Sequence, residues 1–152
     1  MRTWHNYHAG RRFVGRLTGD EDLIRAVTRL GVEEQITTAS VSITGRISRL
    51  TVGTFDPLQQ VYITRTEARP MEIVACRGLL STDGEHPFFH AHIVLADVDT
   101  VIGGRLFSET LAAEAECLVE ELRGPSTHRV YDHRTGQLAL AFDLRAPEDR
   151  AP

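Results

Sequence analysis

The feature of this sequence that most constrains its fold is a series of short segments in which apolar and β-branched residues recur with a period of two. This period places alternate side chains on opposite faces of an extended chain, so it predicts β-strands. The predicted strands are 36–43, 47–52, 60–66, 71–80 and 88–96. The last two are the longest and most apolar, and we expect them at the centre of the sheet.

Two turn dipeptides predict hairpins in this sheet. Asp83-Gly84 lies between the two longest segments, and Thr135-Gly136 separates 129–131 from 138–142. Glycine accepts the positive φ that tight hairpin turns require. Strands joined by such short turns run antiparallel.

One helix is predicted near the N-terminus, after an opening strand at 7–17. Thr18 and Glu21 have the spacing of a capping box, in which each side chain covers a free backbone N–H. Gly31 has the position expected of a C-cap. The apolar residues at helical spacing between them are Leu23, Ile24, Val27 and Leu30. Helix and strands together predict an α+β fold: a bent, mostly antiparallel sheet with an N-terminal helix packed on it.

Segment 111–122 fits two structures equally well. Its many Ala, Leu and Glu residues favour a helix by propensity. Its alternation instead places Leu111, Ala113, Ala115, Cys117 and Val119 on one face of a strand. Local sequence leaves both structures open.

The totals fit one domain. With 152 residues, 41% of them hydrophobic, the chain can bury about two-thirds of its unfolded surface. Only 145–152, charged and with two prolines, is typical of a disordered tail, so we predict a single domain over 1–144. The sequence contains no secretory leader and no apolar run of membrane-spanning length. We therefore expect a cytoplasmic protein that makes no membrane contact.

The charge distribution argues against unassisted nucleic-acid binding. All 17 basic residues are arginine, and they are spread so that residues 1–50 carry a net +3 and residues 51–152 a net −7. Proteins that bind duplex DNA neutralise its phosphates with a basic stripe or tail. No such block occurs here, and Arg11-Arg12 with Arg16 is the densest positive patch.

The segment Phe88–Leu95 contains the clearest candidate for a site. On a strand, His90 and His92 share one face and can point at one zinc ion, although a stable site needs a third ligand. His86, Asp97 and Asp99 are the nearby choices. The competing interpretation is a pair of histidines that are hydrogen-bonded within a curved sheet.

Glu72 is a second unusual residue because its strand is otherwise apolar. A buried carboxylate must be paired, hydrogen-bonded or protonated. Arg77 or Arg105 could pair with it, and an edge position that reaches water explains it equally well. The sequence has no Gly-x-Ser-x-Gly elbow, phosphate-binding loop or Cys-x-x-Cys motif, which favours a binding module over an enzyme.

Five segments in order resemble the plants-and-prokaryotes-conserved (PPC) domain family, in its bacterial stand-alone branch. They are Gly19–Leu23, Ala39–Val41 with Gly45, Pro70–Gly78, His90–His92 and Gly103-Gly104. The resemblance spans roughly residues 7–143. It implies a PPC-like α+β fold, a homotrimer and a strand at 111–122. In plant relatives a separate AT-hook binds DNA, and this domain mediates self-association and contacts with partner proteins. This chain has no such hook.

Two positions depart from the family pattern. Segment 69–74 retains only Glu72 and Ile73 of the residues that plant relatives use for partner contacts. Arg105 stands where many bacterial relatives have a histidine that would complete a three-histidine metal set. A guanidinium stays positively charged and cannot coordinate a cation. The resemblance with this substitution therefore implies a pocket for a carboxylate or phosphate.

Two functions are consistent with these features. The first is a homotrimeric binding or scaffolding module, related to transcription through protein partners and needing no cofactor. The second is a small-molecule enzyme or sensor, dependent on an anion or a metal, whose pocket contains His90, His92, Arg105 and Glu72. A divalent metal such as zinc at His90 and His92 belongs to the second function.

Overall fold

The structure, a computed structural model, describes residues 4–142. This part of the chain forms nine strands and one helix. In chain order they are β1 His8–Asp22, α1 Leu23–Glu33, β2 Ala39–Asp56, β3 Val61–Glu67, β4 Met71–Thr82, β5 Pro87–Ala96, β6 Val101–Leu106, β7 Leu111–Arg123, β8 Thr127–Asp132 and β9 Gln137–Phe142.

All nine strands belong to one sheet in the order β1-β7-β2-β6-β5-β4-β8-β9, with β3 paired to β2. The pairings are antiparallel except for a short parallel contact between β4 and β8. The long strand β2 pairs with β4 and also reaches β6 at Val52 and Gly53. Strands β2, β6, β5 and β4 therefore close on themselves as a small barrel.

The predicted α+β class is wrong, because the protein is mainly β. Strands account for 67% of the described residues and the single helix for 8%. Segments predicted as separate short strands are parts of longer ones: 36–43 and 47–52 fall largely within β2, which continues through Gly45. Gly45 has a φ of 128° at a register shift, so this bulge bends β2 without ending it.

The helix starts later than the sequence predicted. Thr18 and Glu21 lie in β1, which runs to Asp22, and the side chain of Asp22 caps the helix by accepting a hydrogen bond from the Arg25 N–H at 3.0 Å. Gly31 is not a C-cap either. It lies inside α1, where an added Cβ would be 3.1 Å from Leu80.

Segment 111–122 is strand β7, paired with β1 on one side and β2 on the other. Helix propensity is overridden because the strand buries Ala112, Ala115, Cys117 and Val119 in the core and satisfies its backbone on both edges. The strand that the family resemblance implied here is confirmed.

The core fills the space between the sheet and α1 and contains both cysteines as free thiols. Burial raises the pKa of Cys76 to about 12 and that of Cys117 to about 11, so both remain protonated and unreactive at neutral pH. The helix α1, with 11 residues, is too short to span a bilayer, and the described residues include no other helix. The tail predicted at 145–152 lies outside the described residues.

Candidate anion-binding site

The two histidines lie on the outward face of the barrel. On β5 the buried residues Phe89, Ala91 and Ile93 alternate with His90 and His92, so the apolar residues enter the core and both imidazoles point away from it. The centroids of the two imidazole rings are 5.5 Å apart. Period-two alternation therefore explains why the sequence brings these two side chains together.

Arg105 joins the histidines from the neighbouring strand. It lies on β6 directly opposite His92 in the antiparallel register. Close approach of β6 to β2 at this point depends on glycine, because a Cβ on Gly104 would be 2.6 Å from the carbonyl oxygen of Gly53. The Gly-Gly pair thus lets the barrel close beside the site.

Two aromatic rings hold the Arg105 guanidinium. Its carbon Cζ lies 4.7 Å from the centroid of the Tyr62 ring and 4.9 Å from that of Phe107. The rings of Phe55 and Tyr62 are also packed edge-to-face, with their centroids 5.2 Å apart. These cation–π contacts fix the position of the guanidinium without neutralising its charge.

A second guanidinium comes from the C-terminal hairpin. The pKa of Arg129 on β8 is lowered, mainly by burial and to a smaller extent by the positive charge of Arg105. Gln137 on β9 lines a cavity of about 360 Å³ together with His90, His92 and Arg105, and Arg129 is not among its lining residues. A volume of this size accommodates a small ligand.

Three buried nitrogen atoms, two of them on residues that line the cavity, lack hydrogen-bond partners. They are Nδ1 of His90, Nε of Arg105 and Nε of Arg129, and among the described residues no other buried side-chain nitrogen or oxygen is without a partner. A buried polar group left unpaired costs free energy. Nδ1 of His90 and Nε of Arg105 therefore leave the wall of this cavity with unused hydrogen-bonding capacity.

The surroundings keep His90 neutral at physiological pH. Burial, together with the positive charges of Arg129 and Arg105 and the nearby His92, lowers the pKa of His90 from 6.5 to about 4. Both guanidinium groups remain protonated at that pH. The pocket therefore presents the fixed positive charge of Arg105 and the neutral imidazole of His90.

These residues do not fit a bound metal cation. In the part of the chain that the structure describes, no group of three His, Cys, Asp or Glu side chains is placed to hold a metal. Two of the three suggested third ligands are engaged elsewhere: Asp97 binds the Arg69 guanidinium at 2.6 Å, and His86 lies beside Asp83. Two guanidinium charges beside His90 would repel a cation.

Glu72 lies apart from the histidine pocket. It pairs in register with Ala96, six residues along β5 from His90, which corresponds to about 20 Å at roughly 3.3 Å per residue. Its side chain is exposed and borders a different cavity, together with Arg46 and Asp97. The structure thus brings together His90, His92 and Arg105 but not Glu72.

Sequence reasoning missed Arg129, Tyr62 and Phe107. Tyr62 and Arg129 were assigned to strands, but nothing in the local pattern links those strands to β5 and β6. The sequence of β3 gives no signal for Tyr62, because Val61 and Ile63 beside it are apolar as well, although they are exposed in the structure and Tyr62 is partly buried.

Comparison with known proteins identifies one family and several solved structures with a similar fold. The chain matches the sequence model of the Plants and Prokaryotes Conserved (PCC) domain over residues 5–123. Comparison with curated proteins found no significant match. A metal-containing protein of Archaeoglobus fulgidus has a TM-score of 0.88 at 28% identity, with the alignment covering 92% of this chain and 99% of that one.

Two further solved structures have the same fold. A plant- and prokaryote-conserved (PPC) protein of Pyrococcus horikoshii has a TM-score of 0.85 at 25% identity over 95% of this chain and 100% of its own. A protein of Bacteroides thetaiotaomicron with a provisional DNA-binding name has a TM-score of 0.79 at 24% identity over 90% of this chain and 97% of its own. With the family model matched over most of its length, this chain belongs to the Plants and Prokaryotes Conserved (PCC) domain family.

Proposed function

We propose that this protein is a self-associating binding module that holds a small anionic group in the pocket lined by His90, His92 and Arg105. The observation that carries the proposal is the pair of unpartnered nitrogen atoms on this pocket's residues, Nδ1 of His90 and Nε of Arg105. Carboxylate or phosphate oxygens accept hydrogen bonds from such nitrogens, and charge-assisted bonds of this kind are the strong ones.

Arg105 in the pocket and its neighbour Arg129 differ from most other arginines of the protein. Arg105 and Arg129 have no carboxylate partner among the residues that the structure describes. Nine others are paired with carboxylates: Arg11, Arg16, Arg29, Arg46, Arg49, Arg65, Arg69, Arg123 and Arg134. Arg12, Arg25 and Arg77 also lack such a partner in the described part of the chain, but of these unpaired arginines only Arg105 lines the cavity with His90, where an anionic ligand can neutralise its charge.

The same arrangement disfavours duplex DNA as the ligand, although some structural neighbours carry DNA-binding names. Arginines already held by carboxylates are poorly available to phosphates, and DNA affinity depends on phosphate contacts. We expect no retardation of a duplex by this protein at low salt. Retardation that weakens steeply with added salt would contradict this expectation.

A homotrimer is part of the proposal. Beside the pocket, the outward face of β4, β5 and β6 exposes Val74, Val94 and Val101 by 56%, 38% and 71%. Val94 lies opposite Ala75 and Gly103, so the three valines border a surface of small apolar side chains. A second copy of this chain is the occupant we propose, because the family resemblance implies a trimer and an exposed apolar patch is typical of an interface.

Native mass spectrometry with anion titration tests the proposal. We expect a species near three times 17.0 kDa and thermal stabilisation by phosphate or small carboxylates at constant ionic strength. Arg105→Gln should abolish this stabilisation. Arg16→Gln, which removes an equal charge on β1, should preserve it. A monomer would exclude the self-association, and equal responses of the two variants would exclude the pocket.

A further inference from the structure

The space beside Arg105 on the outward face of β6 is left open by Gly103. Residues 101, 103 and 105 alternate onto that face, so Gly103 is the nearest neighbour of Arg105 there on the same strand. Gly103 lines the cavity, and a Cβ built on it would be 3.6 Å from the carbonyl oxygen of Ile93 and 3.8 Å from a methyl carbon of Val94. These are ordinary van der Waals distances, so the strand would accept a small side chain at this point. Gly103 therefore leaves room beside Arg105 that a side chain would otherwise fill.

The guanidinium of Arg105 is held in place but keeps unused hydrogen-bonding capacity. Its Cζ lies over the rings of Tyr62 and Phe107, and its Nε is buried without a partner, as is Nδ1 of His90 on the same cavity wall. A guanidinium is planar and carries its N–H groups along its edge, so a carboxylate in the same plane can accept two parallel hydrogen bonds from it. The wall thus offers a binding position for one carboxylate group.

The remainder of the wall is flat and carries no fixed charge. Among the described residues that line the cavity there is no carboxylate, and Arg105 is the only arginine. Four of the lining residues carry planar rings, namely Phe55, Tyr62, His90 and His92, and three more are glycines. Planar rings pack well against other planar rings, in offset-stacked or edge-to-face contacts. A second anionic group on the ligand would find no fixed positive charge on this wall to pair with.

We infer that the anion is a monocarboxylate carried on a flat aromatic ring, and that Gly103 contributes to this specificity by leaving room for the ring. The carboxylate binds the guanidinium of Arg105, and the ring occupies the remainder of the cavity, where Phe55 and Tyr62 provide aromatic surface. A volume of about 360 Å³ lies at the small end of ligand pockets, which fits a single ring. This inference rests on the proposed anion-binding function and names the class of its ligand.

Calorimetric titration with four probes tests the ligand class: benzoate, cyclohexanecarboxylate, acetate and inorganic phosphate. At neutral pH the three carboxylates are single anions, so they differ in the body that carries the charge. We expect benzoate to bind at least about tenfold more tightly than acetate, because its ring buries apolar surface. Cyclohexanecarboxylate has the same charge and a body of similar size that is not flat. We expect it to bind at least about fivefold more weakly than benzoate.

Gly103→Ala is the decisive variant, with Gly15→Ala as its control. The first adds a methyl group to the cavity wall at ordinary contact distances, and the second adds one on β1 where nothing lies within 4 Å. We expect Gly103→Ala to weaken benzoate binding by at least about tenfold and acetate binding by less than about threefold, since only the ring needs the space. Gly15→Ala should change neither. Phe55→Leu, which removes a ring from the wall, should also weaken benzoate more than acetate.

The outcomes separate the inference from the function on which it rests. If the unaltered protein binds none of the four probes, the proposed function itself fails. If acetate, cyclohexanecarboxylate or phosphate binds as tightly as benzoate, the aromatic inference is overturned and the anion pocket stands. The same holds if Gly103→Ala weakens benzoate and acetate equally, or neither, while its circular dichroism spectrum is unchanged.

Discussion

Gly78 on β4 lies directly opposite Ala91 on β5, and the two strands are so close there that a Cβ on Gly78 would be 2.1 Å from the carbonyl oxygen of His90. Real Cβ atoms do not approach backbone atoms this closely, so only glycine fits. The neighbouring strand is the one that carries both pocket histidines. The position of the imidazoles therefore depends on a residue that has no side chain.

Gly78→Ala should destabilise the protein and displace His90. We expect a loss of about 3 kcal/mol in the free energy of unfolding, as for other overpacked positions, measured by urea denaturation. Gly15→Ala on β1 is the matched control, because an added Cβ there meets nothing within 4 Å. Its unfolding free energy should change by less than about 1 kcal/mol. Equal effects of the two substitutions would contradict the close approach of β4 and β5.

Arg105→His should convert the pocket into a cation site. The imidazole rings of His90 and His92 are already 5.5 Å apart, and residue 105 lies opposite His92. A third imidazole would supply the ligand that zinc requires. We expect zinc to bind to this variant and not to Arg105→Gln, measured by elemental analysis after dialysis. The double variant with Arg129→Gln should bind zinc more tightly, because one repelling charge is gone. Equal zinc content in all variants would show that the imidazoles do not converge.

The protein should become less stable as the pH falls from 6.5 to 4. The pKa of His90 in the folded protein is about 4 because the side chain is buried and Arg129, Arg105 and His92 face it, whereas its ordinary value is 6.5. In this window the unfolded chain binds the proton and the folded chain does not, so acid favours unfolding. His90→Gln should flatten this part of the stability profile. An imidazole titration midpoint near 6.5 in the folded protein would refute the prediction.

Glu121 on β7 should stabilise the attachment of β1 through Arg11. Its Oε2 accepts from the backbone N–H and the Nε of Arg11, both at 2.9 Å. These hydrogen bonds lower the pKa of Glu121 to about 2. The stabilisation is complete above about pH 4.5 and is lost as the pH falls toward 2. Glu121→Gln should reduce the unfolding free energy at neutral pH by about 1–3 kcal/mol. Glu116→Gln, on the same strand but exposed, should have little effect; an equal loss there would contradict the pairing.

The strands were predictable wherever their pattern was local. Segments 71–80 and 88–96 correspond to β4 and β5 because alternating burial leaves its mark in the sequence itself. The start of the helix was not predictable in this way, since two caps compete within five residues. Thr18 has the better local signature, but pairing of Glu21 and Asp22 with β7 keeps β1 extended to Asp22. Long-range strand pairing decided between two locally acceptable starts.

The residues of the site were likewise predictable only where a local pattern places them. His90 and His92 share a face by alternation alone, and Arg105 was placed beside them through the family resemblance. Arg129 and Tyr62 come from distant parts of the chain and reach the pocket only through the path of the sheet. No local periodicity contains that information, so the second guanidinium and the aromatic support were found in the structure alone.

The position of the hairpin β8–β9 in the chain has a consequence for biosynthesis. Domains emerge from the ribosome with the N-terminus first, so the barrel strands are available before Arg129 is synthesised. Docking of the hairpin is then the last step in completing the sheet, after the scaffold has formed. The hairpin meets β4 through a single register pair, Thr82 with His128, so it should open at a lower free-energy cost than the barrel strands and exchange its amide hydrogens sooner.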